Sequence, residues 1–325
     1  MKHCVDCIPK YKQDAPMLHI TDTLIDRHVT AADAQAAMLD AFRSFGRGQA
    51  AMQERIRTEA GGVKLSTLGA VIPDQQVAGA KVYTTIAGQF SFVILLFSTV
   101  DGRPLASFDA GAITRLRTAA CTVLAAKRLA RSDAQTLALF GAGTQGVQHA
   151  LQLSAALPFQ RILICDPYAD AEAATRLSAQ CGVSVSFAQA EEAVAAADII
   201  VTASRSTTPL FPGAIVKPGT FIAAIGSSLP HTRELDDVAL SRAAAVVVEW
   251  RPQSLREAGD LVLADKAVLP DEKIVELADV LLDTAPTRKH ADDILIYKSV
   301  GVGLEDVALA GIAYQRITAA QAAAA

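Results

Sequence analysis

The sequence predicts an α/β protein in which a doubly wound parallel sheet is joined to an α+β domain, and three observations carry that expectation. From about residue 136 short apolar runs alternate with helical patterns, which requires right-handed crossovers and a parallel sheet covered on both faces. Residues 63–100 instead hold β-prone runs separated by Gly and Pro, the pattern of an antiparallel sheet. Where the first alternating strand meets its helix there is a glycine triplet, which marks the edge at which such sheets take ligands.

Residues 1–17 read as an extension in which Cys4 and Cys7 form a CxxC with no second pair to complete a metal site. Leu18–Ile20 reads as a short strand. Thr30 reads as an N-cap, with Asp33 favouring the start of a helix that runs to about Phe45 and is punctuated by Gly46 and Gly48. Strands are expected at 64–68, 80–85 and 90–99, with Asp101-Gly102 signalling a hairpin into 104–108. The Ala- and Leu-rich stretch 113–130 reads as a long helix leading out of the first domain.

The alternation follows. Thr136–Phe140 is a strand, 145–157 a helix, Arg161–Cys165 a strand, 169–180 a helix, Ser184–Phe187 a strand and Ala190–Ala196 a short helix. Further strands are expected at Ile199–Thr202, 221–225 and 245–248. Residues 294–300 read as a strand and 304–324 as a helix outside that alternation, and the helix is expected to return to the first domain. The expected domains are therefore 18–120 with 302–325, for substrate binding and dimerisation, and 121–301, for the nucleotide.

Bulk properties narrow the function. A chain of 325 residues is long enough for two domains around a large buried core. A net charge of −4 without any Lys/Arg run argues against nucleic-acid binding, and the most apolar stretch, 90–100, is too short to cross a bilayer. The first ten residues have no apolar signal core, and five scattered cysteines fit a reducing cytoplasm.

Gly141-Ala142-Gly143-Thr144-Gln145-Gly146 is a GxGxxG between an apolar strand and a helix, the setting of a Rossmann dinucleotide loop. Gly141 makes the turn, Gly143 admits a pyrophosphate to backbone N–H groups, and Gly146 lets helix and strand pack closely. Asp166 ends the second strand where a carboxylate accepts the ribose hydroxyls and repels a 2′-phosphate, which favours NAD(H). Ser204, after the fourth strand, stands at the edge the dinucleotide crosses.

Thr114-Arg115-Leu116-Arg117-Thr118-Ala119-Ala120 resembles the TxxRTAA segment of the ornithine cyclodeaminase and mu-crystallin family. The likeness continues through Arg55, Gly79-Ala80-Lys81-Val82, the glycine fingerprint, Ile225-Gly226-Ser227-Ser228, Arg233-Glu234-Leu235, and Lys298-Ser299-Val300-Gly301 with Glu305-Asp306. It implies a homodimer formed through the N-terminal sheet, Arg55 and Arg117 gripping the substrate α-carboxylate, Lys81 as the active-site lysine, and Thr118 and Lys298 at the cofactor. A guanidinium fork suits a carboxylate, and a partly buried ammonium can give a proton to an imine nitrogen.

Where the family's cyclodeaminases resemble one another in an Asp, this chain has Ser228, as mu-crystallin-like ketimine reductases do. A hydroxyl is a poor group for a distal ammonium. The resemblance therefore implies reduction of a 2-imino acid to an L-amino acid, with an alanine dehydrogenase-type reaction, cyclodeamination and a non-catalytic binding role as the alternatives. Arg57, Lys64 and His231 lie near the matched positions and would suit a second carboxylate, as in iminosuccinate. The alternative places Arg57 and Lys64 outward on strands and His231 in a loop, with a cyclic ketimine or simple pyruvate and ammonia as substrate.

Overall fold

The computed structural model describes residues 17–285 and 288–324, so the CxxC at Cys4 and Cys7 lies outside the described residues. The chain divides into two compact units, 1–114 with 302–325 and 115–301. The division falls inside a helix, between Thr114 and Arg115, earlier than the expected boundary at 120.

The first unit begins with β1 (Leu18–Ile20), α1 (Asp22–His28) and α2 (Ala31–Gly46). Thr30 and Asp33 close a reciprocal capping box on α2, with Asp33 N–H donating to Thr30 Oγ1 at 3.1 Å and Thr30 N–H to Asp33 Oδ2 at 3.0 Å. The strands follow as β2 (Ala51–Ala60), β3 (Val63–Ile72), β4 (Val77–Ile86), β5 (Gln89–Ser98) and β6 (Pro104–Asp109). They form a six-stranded sheet in the order β1-β6-β5-β4-β3-β2, antiparallel except where β1 joins β6. The tight turns lie at Gly61-Gly62 and Ala87-Gly88, where both central residues have positive φ and so match the right-handed twist of the strands.

Two elements here escape the sequence reading. Helix α1 has seven residues, too few to show a period, and is started by the Thr21 cap. Strand β2 carries Glu54, Arg55, Arg57 and Glu59, types depleted in strands, and is held by its ladder to β3.

Helix α3 (Gly111–Leu129) crosses the division. The second unit then runs β7 (Thr136–Phe140), α4 (Thr144–Ala156), β8 (Arg161–Cys165), α5 (Ala173–Cys181), β9 (Ser184–Phe187), α6 (Ala190–Ala196), β10 (Ile199–Thr202), β11 (Phe221–Ala224), α7 (Asp237–Arg242), β12 (Ala243–Val248), α8 (Arg251–Glu257), α9 (Gly259–Val262), β13 (Ile274–Glu276), α10 (Leu277–Leu281) and β14 (Ile294–Lys298). Its eight strands are parallel, in the order β13-β12-β14-β11-β10-β7-β8-β9.

The expectation for this unit needs several corrections, and helices α7 to α10, each of seven residues or fewer, are too short to show a period. Strand β14 does not stand outside the alternation but inserts between β11 and β12, where all five of its residues are buried. Helix α5 starts at Ala173 rather than 169, because the segment after Asp166-Pro167 is committed to turns. The three-residue β13 is too short to announce itself in a pattern.

The last helix, α11 (Gly303–Ala324), belongs to the first unit. It enters tightly, since a Cβ on Gly303 would collide with the Gly69 backbone of β3, and one on Gly79 would meet Val307 at 3.3 Å. One face of the six-stranded sheet is thereby covered, and α2 is tied to the same helix by Arg316 and Asp33 at 2.6 Å.

Candidate active site

Strand β7 is buried throughout and lies between β8 and β10, so the chain leaves it to one side first and returns to the other. That reversal opens a crevice at the carboxyl ends of the strands, and the glycine loop stands in it. Gly143 is the N-cap of α4 and makes no side-chain capping bond, so the helix start presents its backbone N–H groups, a setting suited to an anion. A Cβ on Gly146 would strike the Gly141 carbonyl, whereas one on Gly143 would meet nothing within 4 Å. Close packing inside and open space outside are what a pyrophosphate cradle needs. At the end of β8, Asp166 accepts Ala142 N–H at 2.8 Å through one oxygen and Tyr168 N–H at 2.9 Å through the other. Its carboxylate is thus fixed beside the loop.

Two buried carboxylates shape the neighbouring loops. Glu234 accepts hydrogen bonds from Thr202 Oγ1 (2.8 Å), Ser204 N–H and Oγ (2.8 and 2.7 Å) and Gly226 N–H (2.8 Å). It therefore clamps the turns after β10 and β11 together, and Ser204 spends its hydroxyl proton inward. Glu249 accepts Ser299 Oγ at 2.5 Å, Val300 N–H at 2.8 Å and Gly301 N–H at 2.9 Å. Gly301, at φ +74°, faces Arg117, and a Cβ there would lie 2.8 Å from Nη2 of that buried guanidinium. Lys298 is fully buried, 2.9 Å from Asp260 and 3.1 Å from the Ala224 carbonyl, so its ammonium braces the sheet edge from within. Ser228 is half-buried and His231 is exposed on its turn.

The second half of α3 is fastened to α4. Gln152 Nε2 donates to the Leu116 carbonyl at 3.0 Å, and His149 lies 3.0 Å from Thr122 Oγ1 and 2.7 Å from the Gln145 carbonyl. A carbonyl only accepts, so His149 Nδ1 carries the proton and Nε2 takes that of Thr122. These contacts fix the segment holding Arg117 and Thr118, both buried. Burial drives the His149 imidazole down to a pKa of about 4, and the charge of Arg117 acts in the same direction. Because the folded value lies below the ordinary 6.5, the unfolded chain takes the proton first. The stabilisation is complete above pH 6.5 and is lost as pH falls toward 4, by about 3 kcal/mol. Urea unfolding at pH 7 and pH 4 should show this loss in the wild type and most of it missing in His149→Gln; equal losses in both would contradict it.

In the first unit, Lys81 projects from β4 with only 3% of its surface exposed. Its Nζ donates to Thr114 Oγ1 at 2.5 Å, lies 3.3 Å from Asp306 Oδ1 on α11, and sits 4.6 Å from the centre of the Phe92 ring. A buried ammonium is tolerable because a buried carboxylate offsets its lost hydration. Register carries the row further. Leu68 pairs with Lys81, and the shift between Gln53 and Ile56 sets Glu54 and Arg55 together opposite Leu68. That bulge brings Arg55 into the row of Lys81. Lys64, by contrast, pairs with Glu59 across β2 and β3 at 3.3 Å. Among the described residues no three His, Cys, Asp or Glu are grouped to hold a metal ion.

The model of the ornithine cyclodeaminase/mu-crystallin family matches residues 16–321. The chain belongs to this family. It is 33% identical to the ketimine reductase mu-crystallin of Mus musculus over 221 residues, 68% of each chain. Among solved structures it is similar to a probable ornithine cyclodeaminase from Bordetella pertussis Tohama I (64% identity, TM-score 0.93, 94% of this chain and 99% of the other). It is also similar to the Delta(1)-pyrroline-2-carboxylate reductase of Thermococcus litoralis in complex with NADH and L-proline (25% identity, TM-score 0.89, 94% and 98%).

In this member of the ornithine cyclodeaminase/mu-crystallin family, sequence reasoning singled out Lys81 but gave no role to what holds it. Asp306 stood only as a matched residue, and the signal available was a carboxylate in the first turn of a helix that is otherwise largely apolar. Glu249 carried a similar signal as an acid directly after the apolar strand β12, whereas Glu234, in the loop between β11 and α7, carried none; both are buried and bonded.

Proposed function

We propose that the chain is an NAD(H)-dependent reductase that converts a 2-imino acid to an L-amino acid. The observation that carries this reading is the buried Lys81 ammonium, held by Asp306 and Thr114, in a chain that also has an uncapped helix N-terminus behind a glycine loop. When bound, NADH supplies a hydride to the imine carbon. Lys81 gives its proton to the imine nitrogen, and Asp306 and Thr114 hold the ammonium at the position from which it does so. Arg55 and Arg117 bind the α-carboxylate and set the orientation of the substrate. Gly141 to Gly146 and Thr118 take the phosphates, and Asp166 takes the ribose. Ser204 and Lys298 act by placing the loops, since both are engaged inside the protein.

Mouse mu-crystallin is named a ketimine reductase and the Thermococcus enzyme a pyrroline-2-carboxylate reductase, which supports imine reduction here. Ser228, where cyclodeaminases resemble one another in an Asp, argues against ring closure with loss of ammonia. NADH consumption across a panel of imino acids, formed from oxaloacetate or pyruvate with ammonia or supplied as cyclic ketimines, tests the reading. Consumption with none of them would overturn it, and ammonia release from ornithine without a keto acid would replace it by cyclodeamination.

NADH is the preferred cofactor in this reading because the Asp166 carboxylate repels a 2′-phosphate. Asp166→Ser should shift the NADH:NADPH ratio of kcat/KM by about tenfold or more, a charge–charge term of about 1.4 kcal/mol. An unchanged ratio would remove Asp166 from the ribose site.

The reading includes a homodimer. The sheet face away from α11 exposes Ile56, Val63, Leu65, Val71, Ile86 and Phe97, and an apolar face of that size is an association surface. Leu65→Asp with Val71→Asp should halve the mass measured by sedimentation; an unchanged mass would place the interface elsewhere. Residence in the cytoplasm is part of the reading, since Cys121, Cys165 and Cys181 form no disulfide among the described residues.

A further inference from the structure

On the α11 side of the six-stranded sheet, paired residues run in rows that start at the catalytic lysine of the reading above. Beyond Lys81, toward the Ala87-Gly88 turn, the next row is Arg57, Ser66, Tyr83 and Phe92, and the one after it is Glu59, Lys64, Thr85 and Phe90. Three of these are aromatic and touch. Tyr83 and Phe92 have ring centres 4.9 Å apart, and Phe90 stacks on Phe92 at 5.5 Å with 9° between the planes. Tyr83 and Phe92 are half-buried and Phe90 is half exposed, so these rings are not core in the described unit. Beside them the Ser66 hydroxyl is buried at 1% exposure and has no hydrogen-bond partner among the described residues.

We propose that Tyr83, Phe90 and Phe92 are the wall that selects the substrate's side chain, and that they favour a cyclic 2-imino monocarboxylate over an imino dicarboxylate. The inference rests on the reductase reading. A nitrogen protonated by Lys81 lies about 3 Å from Nζ, and the carbon bearing the side chain is bonded to it. The side chain therefore begins within reach of the Phe92 ring, itself 4.6 Å from Nζ. A flat apolar ring packs on such a surface, whereas the negative face of an aromatic ring repels a carboxylate. The Ser66 hydroxyl is a neutral donor at the rim of this wall.

Two further cations lie on this face, Lys64 and Arg57. Lys64 is two rows beyond Lys81, about 13 Å along the strand, and is engaged by Glu59 at 3.3 Å. Arg57 shares a row with Tyr83 and stands two strands from it, about 10 Å, the same offset as Arg55 from Lys81, and is therefore the residue on which the opposite specificity would depend.

The test compares kcat/KM for Delta(1)-pyrroline-2-carboxylate and for iminosuccinate, the latter formed from oxaloacetate and ammonia, in the wild type, Phe92→Ala, Phe92→Tyr, Phe90→Ala and Arg57→Ala. The wild type should favour the cyclic imine by about tenfold or more. Phe92→Ala should cut that ratio about tenfold, chiefly through KM for the cyclic imine, and Phe92→Tyr should restore it. Phe90→Ala, two rows beyond Lys81, should lower the ratio about threefold with NADH affinity unchanged. A wild type that prefers iminosuccinate and loses it in Arg57→Ala would overturn the proposal, as would a ratio that the two phenylalanine variants leave unmoved. Reduction of neither imine by a protein that binds NADH would remove the reductase reading itself, and this inference with it.

Discussion

Replacing Lys81 by alanine should lower turnover by roughly 10²–10⁴, the scale of a lost general acid. As hydride adds to the imine carbon, negative charge gathers on nitrogen, and a proton must meet it there. In the proposed reaction that proton comes from Lys81. Only 3% of its surface is exposed, and its Nζ is pinned by Thr114 at 2.5 Å and Asp306 at 3.3 Å. Bulk water has little access to replace it. The expected signature is a fall in kcat with NADH affinity intact, since Lys81 does not belong to the unit that carries the glycine loop. Removing the ammonium also leaves the buried Asp306 less compensated, which costs about 3–5 kcal/mol of stability, so rates are compared per folded molecule. Lys81→Met, which keeps the apolar stem, separates the two effects: it should stay slow while packing better than alanine. Near-normal turnover in both variants would take Lys81 out of the chemistry.

How much of this was legible in the sequence differs between the units for a physical reason. In the second unit the central strands β7, β10 and β11 are buried on both faces, so apolar runs and helices alternate plainly along that part of the chain. The exception is β14, which follows a long excursion through β12 and β13 and then inserts between strands already formed; no local pattern records an insertion. In the first unit one sheet face is covered by α11 and the other is open, and β2 meets neither rule because its charged residues flank a bulge. The bonds that shape the candidate site are more remote still. Lys81 and Asp306 are 225 residues apart, and only the fold brings a strand near the start of the chain against a helix at its end. The family resemblance singled out Lys81; its partner, and the bulge that sets Arg55 in its row, follow from topology. The glycine loop was fully legible because its chemistry is local, with turn, approach and packing all falling within six consecutive residues.

That locality gives a second result of large expected size, because two glycines of the same loop should fail for different reasons. Gly143→Ala should fold and melt like the wild type, since the residue has φ −74° and a Cβ there meets nothing within 4 Å. Its added methyl group instead projects into the space a pyrophosphate would fill, so NADH affinity should fall by about tenfold to a hundredfold, or roughly 1.4–2.8 kcal/mol. Gly146→Ala should lose affinity and stability together, because its Cβ would strike the Gly141 carbonyl and force α4 away from β7. Titration of NADH by its fluorescence, alongside thermal melts, reads both quantities on the same samples. Loss of affinity without loss of stability at 143 identifies a ligand that presses on this backbone, which no purely structural role for the loop can imitate. An alanine at 143 that binds NADH as well as glycine does would mean that the phosphates lie elsewhere.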